Sequence, residues 1–219
     1  MKPFETLRSV AASIAENDID TDIIFPARFL LLLDKQGLGR NVFHERRANA
    51  PKGAPFVLDR PGFARAQIIL AARNFGTGSS REQAVWALAD FGIRVVIAES
   101  FGEIFHANCF KNGVLPIALP EAILTTLRPL AEAGIEFSVD LAAQTVTIDN
   151  VEPIPFDIAP YRKDALLRGL DEIGAMIEGD AADIAAFEAR QRELTPWLYL
   201  TSDQLAYFHD LEKETALVR

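Results

Sequence analysis

The sequence predicts an α/β domain layered around a mostly parallel central sheet. Three observations predict it. Short apolar runs alternate with helix-period segments through residues 67–132. A glycine loop joins one of those runs, Gln67 to Ala72, to a following helix. Gly92 and the Gly113/Pro116 region punctuate the middle of the chain, where strands and helices change over.

The elements follow in order. Strands are expected at 7–14, 67–72, 93–98, 114–118, 135–139 and 145–148. Helices are expected at 79–91, 101–110, 120–132, 163–176, 180–192 and 202–214. The 79–91 helix rests on Ala84, Trp86, Ala87, Leu88 and Phe91, closed by Gly92. Residues 34–62 are rich in Gly, Pro, Asn and Arg, and read as an irregular excursion. The first domain runs over 1–192. A C-terminal helical extension, 193–219, carries the apolar knot Pro196 to Leu200. Leu205, Phe208 and Leu211 lie at helical spacing within it, and the extension is expected to pack on its own domain.

Composition excludes several classes. The 219 residues are 49% hydrophobic, enough for a sizeable core, and no apolar run reaches membrane-spanning length. The start, Met1-Lys2-Pro3-Phe4-Glu5, lacks a signal-peptide pattern. One cysteine allows no internal disulfide and fits a reducing cytoplasm. Net charge is −9, and residues 151–219 hold 7 basic and 14 acidic residues against 15 and 17 in residues 1–150. An acidic C-terminal third argues against nucleic acid as a partner.

The chemistry concentrates at Arg73-Asn-Phe-Gly-Thr-Gly-Ser-Ser-Arg-Glu-Gln-Ala84. Gly76 and Gly78 allow a sharp turn and a close approach to a ligand. Ser79 and Glu82 have capping-box spacing, which predicts a helix start at this point. Free amides at a helix start favour an anion. Arg81 adds a fork suited to carboxylate or phosphate. The P-loop Gly-Lys-Ser/Thr is absent, and the dinucleotide Gly-x-Gly-x-x-Gly lacks its third glycine. A small, multiply charged acid suits the arrangement.

Gly-Ser-Ser-Arg-Glu resembles the signature of the small, swivelling domain of the aconitase superfamily. Three further segments resemble the same family in the same order: Asp20 to Leu30, Val95 to Pro116, and Gly169 to Gly174. Together they span about residues 1–192, and the nearest likeness is to bacterial 3-isopropylmalate dehydratase small subunits. The resemblance implies a swivelling β/β/α domain and a hydro-lyase of leucine biosynthesis. Such an enzyme isomerises 2-isopropylmalate and 3-isopropylmalate by dehydration and rehydration.

The resemblance also assigns roles. Ser79 takes the position of the base at carbon, acting as an alkoxide. Ser80 and Arg81 take the positions that bind substrate carboxylate. Asp22 and Arg28 fall on the upstream motif, which carries an acid and a basic substrate-binding residue. Leu31 and Leu32, in the run Leu30 to Leu33, fall on the loop that faces the variable group of the substrate, where an apolar surface suits an alkyl group. Family chemistry uses a 4Fe-4S cluster, which needs about three or four thiolates. Cys109 alone does not supply them, so the cluster is expected on a large partner subunit and no metal or cofactor in this chain. Gln83, Val85 and Leu31 to Leu33 depart from the usual family pattern. Two alternatives stay open: a paralogous subunit acting on another alkyl-malate or citraconate, and a non-catalytic carboxylate-binding module.

His106 and Cys109 lie three apart on one helical face, the spacing of a nucleophile pair or a two-ligand metal site. No orienting Asn or Asp accompanies them, and a core cysteine is the simpler expectation. His44 and His209 are expected to be solvated.

Overall fold

Strand β1, Thr6–Ile14, is shared between two kinds of pairing. Its first half, Thr6 to Val10, runs antiparallel to β5, Glu136–Asp140. Its second half, Ala11 to Ile14, runs parallel to β2, Ile68–Ala71. At the changeover Ser9 Oγ accepts a hydrogen bond from Gln67 N–H at 3.0 Å. The computed structural model describes residues 1–32 and 34–206, without the side chain of Glu172. Among these residues seven strands form one sheet in the order β4-β3-β2-β1-β5-β6-β7. Here β3 is Val95–Ala98, β4 Leu115–Ala118, β6 Thr145–Ile148 and β7 Val151–Pro155. Strands β1 to β4 are parallel, and β5 to β7 extend the sheet antiparallel.

The parallel strands are buried on both faces, so their alternate residues enter two separate cores. Ala12, Ile69, Ala71, Val96 and Ala98 face one core. Helices α3 (Gln83–Phe91) and α4 (Glu103–Lys111) close that face through Ala84, Val85, Leu88, Phe105 and Cys109. Ala11, Ile68, Leu70, Val95 and Ile97 face the other core. There α5, Glu121–Glu132, buries Leu124, Leu127 and Ala131.

The 34–62 excursion is irregular but not detached. It contains two short 3-10 turns and α2, His44–Ala48; α1 is the single turn Thr21–Ile24 ahead of it. Leu38, Val42, Phe43, Val57 and Leu58 sink into the first core. Gly39 packs so closely on α3 that a Cβ there would sit 2.5 Å from Phe91 N.

Three elements differ from expectation. The helix after the glycine loop starts at Gln83 rather than 79, because residues 77–82 stay in a loop. The helix expected over 163–176 is broken. Helix α6, Pro160–Arg168, ends at Gly169 (φ +70°), a left-handed cap that glycine favours. Helix α7 then spans Glu172–Gly179. Strand β7 is not expected from the sequence, because Pro153 and Pro155 speak against a strand. It lies at the sheet edge, where a missing N–H costs no ladder bond.

The chain divides into two compact units, Met1–Glu172 and Ile173–Arg219. In the second, α8 spans Ala181–Leu194 and a 3-10 turn spans Pro196–Leu198. Helix α8 thus runs through the domain boundary expected at residue 192. Residues 202–206 are helical. Leu33, Phe208, His209, Leu211 and the rest of the expected last helix lie outside the described residues.

Candidate active site

Three connections meet at the carboxyl edge of the parallel strands, the usual ligand-binding edge of such sheets. They follow β1, β2 and β3. The glycine loop after β2 lies between the other two. Gly76 N–H donates to Ile19 O at 2.7 Å, and Thr21 N–H donates to Thr77 O at 2.9 Å. On the other side Phe75 N–H donates to Ser100 O and Gly102 N–H to Phe75 O, at 3.0 and 2.9 Å. The loop therefore has a fixed course without helical hydrogen bonds of its own.

Gly76 has φ +74°, and a Cβ there would overlap the Phe105 ring. That ring meets Phe75 edge-on, with centroids 5.5 Å apart, and forms a floor under the turn. Gly78, at φ +98°, is left-handed as well, as is Asn74 at φ +59° earlier in the loop. Together the two glycines aim the Ser79–Arg81 segment out over the sheet edge.

Ser79 is half-buried and Ser80 exposed. Ser79 Oγ lies 3.0 Å from Thr21 Oγ1 and accepts the Arg81 backbone N–H at 3.3 Å. The Arg81 guanidinium is ion-paired to Asp22 through Nη1. Asp22 also accepts the Ala27 N–H at 3.1 Å, so the same carboxylate ties the start of the next turn to Arg81. Asp20 Oδ1 accepts Ile23 N–H at 2.7 Å and caps α1.

The expected capping box does not form. Glu82 is the residue that precedes the helix, in helical conformation, and no side chain caps that terminus. Ser79 serves the loop instead. Glu82 turns inward, accepting Asn112 Nδ2 at 2.8 Å and Trp86 Nε1 at 3.1 Å. Burial raises its pKa, but these two bonds, Lys35 and Lys111 outweigh that and hold the carboxyl below its ordinary range.

Ser79, Arg81 and Asp22 are thus brought together. Arg28 is not turned to them. It pairs with Glu45 and its guanidinium lies 5.1 Å from the Phe29 ring centre. Arg73 likewise pairs with Asp18 at 3.1 Å. Leu31 is 89% exposed and, with Leu32, lines a small cleft beside Leu38 and Arg40, apart from the serines. A larger cleft of about 880 Å³ opens between the β1 connection and the excursion. Asp20, Asp22 and Ile23 line it, whereas Ser79 and Arg81 do not. Asp22, which lines this cleft, is also ion-paired to Arg81 and so links the cleft to the serine loop.

Thr21 is the residue that sequence reasoning missed. It is 1% exposed and in direct contact with Ser79. Its place between Asp20 and Asp22, inside the upstream motif, is the signal that could have found it.

The remaining titratable candidates resolve as structure. Cys109 is fully buried, and burial pushes its thiol well above the ordinary range. His106 faces Arg162 Nη1 at 3.3 Å and Phe110 edge-on. Burial first, then the Arg162 charge, hold its pKa below the usual histidine value. His44 is half-buried against Phe29 rather than solvated, with ring centroids 5.1 Å apart. Among the described residues no three His, Cys, Asp or Glu side chains cluster to hold a metal, and no helix is long and apolar enough to cross a membrane.

The sequence matches three family models. They are the aconitase C-terminal domain over residues 1–122, LeuD_N over 126–160, and the C-terminal domain of the 3-isopropylmalate dehydratase small subunit over 179–200. The 3-isopropylmalate dehydratase small subunit of Paracoccus denitrificans is 45% identical over 203 residues, covering 90% of this chain and 100% of that one. The protein of the same name from Cereibacter sphaeroides strain KD131 is 47% identical with the same coverage. The crystal structure of 3-isopropylmalate dehydratase (leuD) from Methanocaldococcus jannaschii superposes with a TM-score of 0.62 at 26% identity, covering 83% of this chain and 99% of that one. With an ordered set of motifs, a matching fold and relatives of this identity over their whole length, the chain belongs to the family of 3-isopropylmalate dehydratase small subunits.

Proposed function

We propose that this chain is the small subunit of a cytoplasmic hydro-lyase that interconverts 2-isopropylmalate and 3-isopropylmalate in leucine biosynthesis. One observation carries the reading beyond family membership. A glycine loop at the carboxyl edge of the sheet presents Ser79 beside Arg81, with Arg81 ion-paired to Asp22.

Ser79, as its alkoxide, takes the proton from the substrate carbon. The C–H electron pair becomes the new C=C bond as the C–O bond of the neighbouring carbon breaks, and the departing hydroxide becomes water by taking a proton from an acid that the partner chain or solvent would supply. Re-addition of water across the double bond in the opposite sense, with Ser79 returning the proton to carbon, gives the isomer. Ser80 and the Arg81 fork hold a substrate carboxylate; Arg28 would have to leave its pair with Glu45 to serve as a further basic ligand. Asp22 sets the orientation of the Arg81 guanidinium. Leu31 and Leu32, set apart from the serines in this chain, are the proposed contact for the alkyl group.

The iron–sulfur chemistry of this reaction does not fit this chain. A 4Fe-4S cluster needs about three or four thiolates, and the single cysteine is buried with its thiol held protonated. The cluster, a Lewis acid for the substrate hydroxyl, therefore belongs in this reading to a large partner subunit. Ser80 is exposed and the loop lies at an open edge, which suits a site completed by a second chain.

The test is co-purification with a cluster-bearing large subunit, then assay of Ser79→Ala on both isopropylmalates. Turnover is expected to vanish with assembly intact. Near-normal kcat in that variant overturns the assignment.

A further inference from the structure

Among the described residues Thr21 Oγ1 makes two hydrogen-bond contacts, and both are with Ser79. Ser79 N–H donates to it at 3.4 Å, and Ser79 Oγ lies 3.0 Å away. The first contact uses Thr21 as an acceptor. Its own proton still needs a partner, because Thr21 is 1% exposed and a buried hydroxyl without an acceptor is costly. The acceptor in reach is Ser79 Oγ, which fixes the direction of the bond. Thr21 O–H donates and Ser79 accepts.

Ser79 Oγ then receives two donors, the Thr21 hydroxyl and the Arg81 backbone N–H at 3.3 Å. Its own proton is left pointing away from both. The donors are held from behind. Thr21 N–H is bonded to Thr77 O at 2.9 Å, and the Asp20 cap fixes the turn that Thr21 begins. The β-branch of threonine further limits its rotamers.

We propose that Thr21 is a positioning residue for Ser79, holding the Ser79 oxygen in place by hydrogen-bond donation and stabilising it when its proton is gone. This rests on the reading of Ser79 as the base at carbon. Preorganised donors aimed at a developing oxyanion act in this way, because they need no rearrangement during the reaction.

The test uses the enzyme assembled with its large subunit. Thr21→Val keeps the shape and removes the hydroxyl. Its kcat is expected to fall about 10²–10³-fold, the usual loss for one oxyanion donor, with KM near that of wild type. Thr21→Ser restores the hydroxyl and is expected to recover most of the lost kcat. On a Ser79→Ala background, Thr21→Val is expected to add no further loss. If Ser79→Ala itself turns over normally, the underlying reading fails. If Ser79→Ala is inactive while Thr21→Val keeps wild-type kcat, the role of Thr21 fails alone. Equal losses in the Val and Ser variants, with lowered melting temperatures, would make Thr21 a packing residue and overturn the proposal.

Discussion

Glu82 and Asn112, thirty positions apart, are joined by a 2.8 Å hydrogen bond that ties the end of the serine loop to the end of helix α4. Asn112 Nδ2 also donates to Asn108 O at 2.9 Å, and Lys35 lies 4.4 Å from the Trp86 ring centre on the same cluster. Three segments are pinned there, directly behind Arg81.

That cluster predicts an acid-sensitive loop. The Glu82 carboxyl is held below its ordinary value of 4.5. A depressed acid stabilises the fold above its unfolded value, and the contribution is lost as pH falls through the folded value. Thermal stability is expected to decline as pH drops below about 4.5. Glu82→Gln should lose roughly 1 kcal/mol at pH 7 and show a flatter acid limb. Parallel acid limbs in the two proteins would exclude Glu82 as a source of the sensitivity.

Gly76→Ala is expected to be poorly folded. The left-handed backbone alone costs about 1–2 kcal/mol for a residue with a Cβ, and the Phe105 ring occupies the space the methyl needs. Gly78→Ala meets Asp20 Cβ at 3.3 Å and Thr21 Oγ1 at 3.9 Å, so it should carry the backbone cost and little more. Urea midpoints of the two variants rank them; equal values would show that the aromatic floor yields.

Arg81→Lys keeps the charge and loses the fork that pairs with Asp22 and that is proposed to hold the substrate carboxylate. A large fall in kcat/KM of the assembled enzyme is expected, with little change in melting temperature, because the pair with Asp22 is partly exposed and such pairs contribute about 0–1 kcal/mol. Wild-type kinetics would show that charge alone suffices.

Leu31→Arg tests the alkyl-facing role. At 89% exposure the side chain supports little of the fold, so stability should stay within about 0.5 kcal/mol. A methylene contact contributes roughly 1–3 kcal/mol of discrimination. Activity on isopropylmalate should therefore fall relative to homoaconitate, a substrate with an added carboxylate. An assembled variant with an unchanged substrate ratio removes Leu31 from the site.

The fold is legible wherever local pattern and burial agree. Strands β2 to β4 read as apolar runs because both their faces are covered. Strand β7 does not, since its prolines are tolerated only through an edge position that no local pattern reveals. Nor does the break at Gly169, which a helical period runs straight through. At the site, Ser79, Arg81 and Asp22 can be named from their motifs. Thr21 is marked only by its place between Asp20 and Asp22, because its importance lies in a contact across 58 positions. The capping box fails for a related reason. Backbone bonds to Ile19, Thr21 and Ser100 claim the loop before a helix can start at Ser79.

The divided pairing of β1 bears on when the protein can fold. Thr6 pairs with Asp140, 134 residues later, while Ala11 pairs with Ile68. On the ribosome the parallel half can be completed first, and the first five residues of β1 then wait for β5. At about 5–20 residues per second, that wait covers several seconds of synthesis. During it the Phe4–Val10 stretch has no strand partner on the antiparallel side. A nascent chain stalled before residue 136 would thus present an open sheet edge along the amino half of β1, and it is there that early chaperone engagement would matter most.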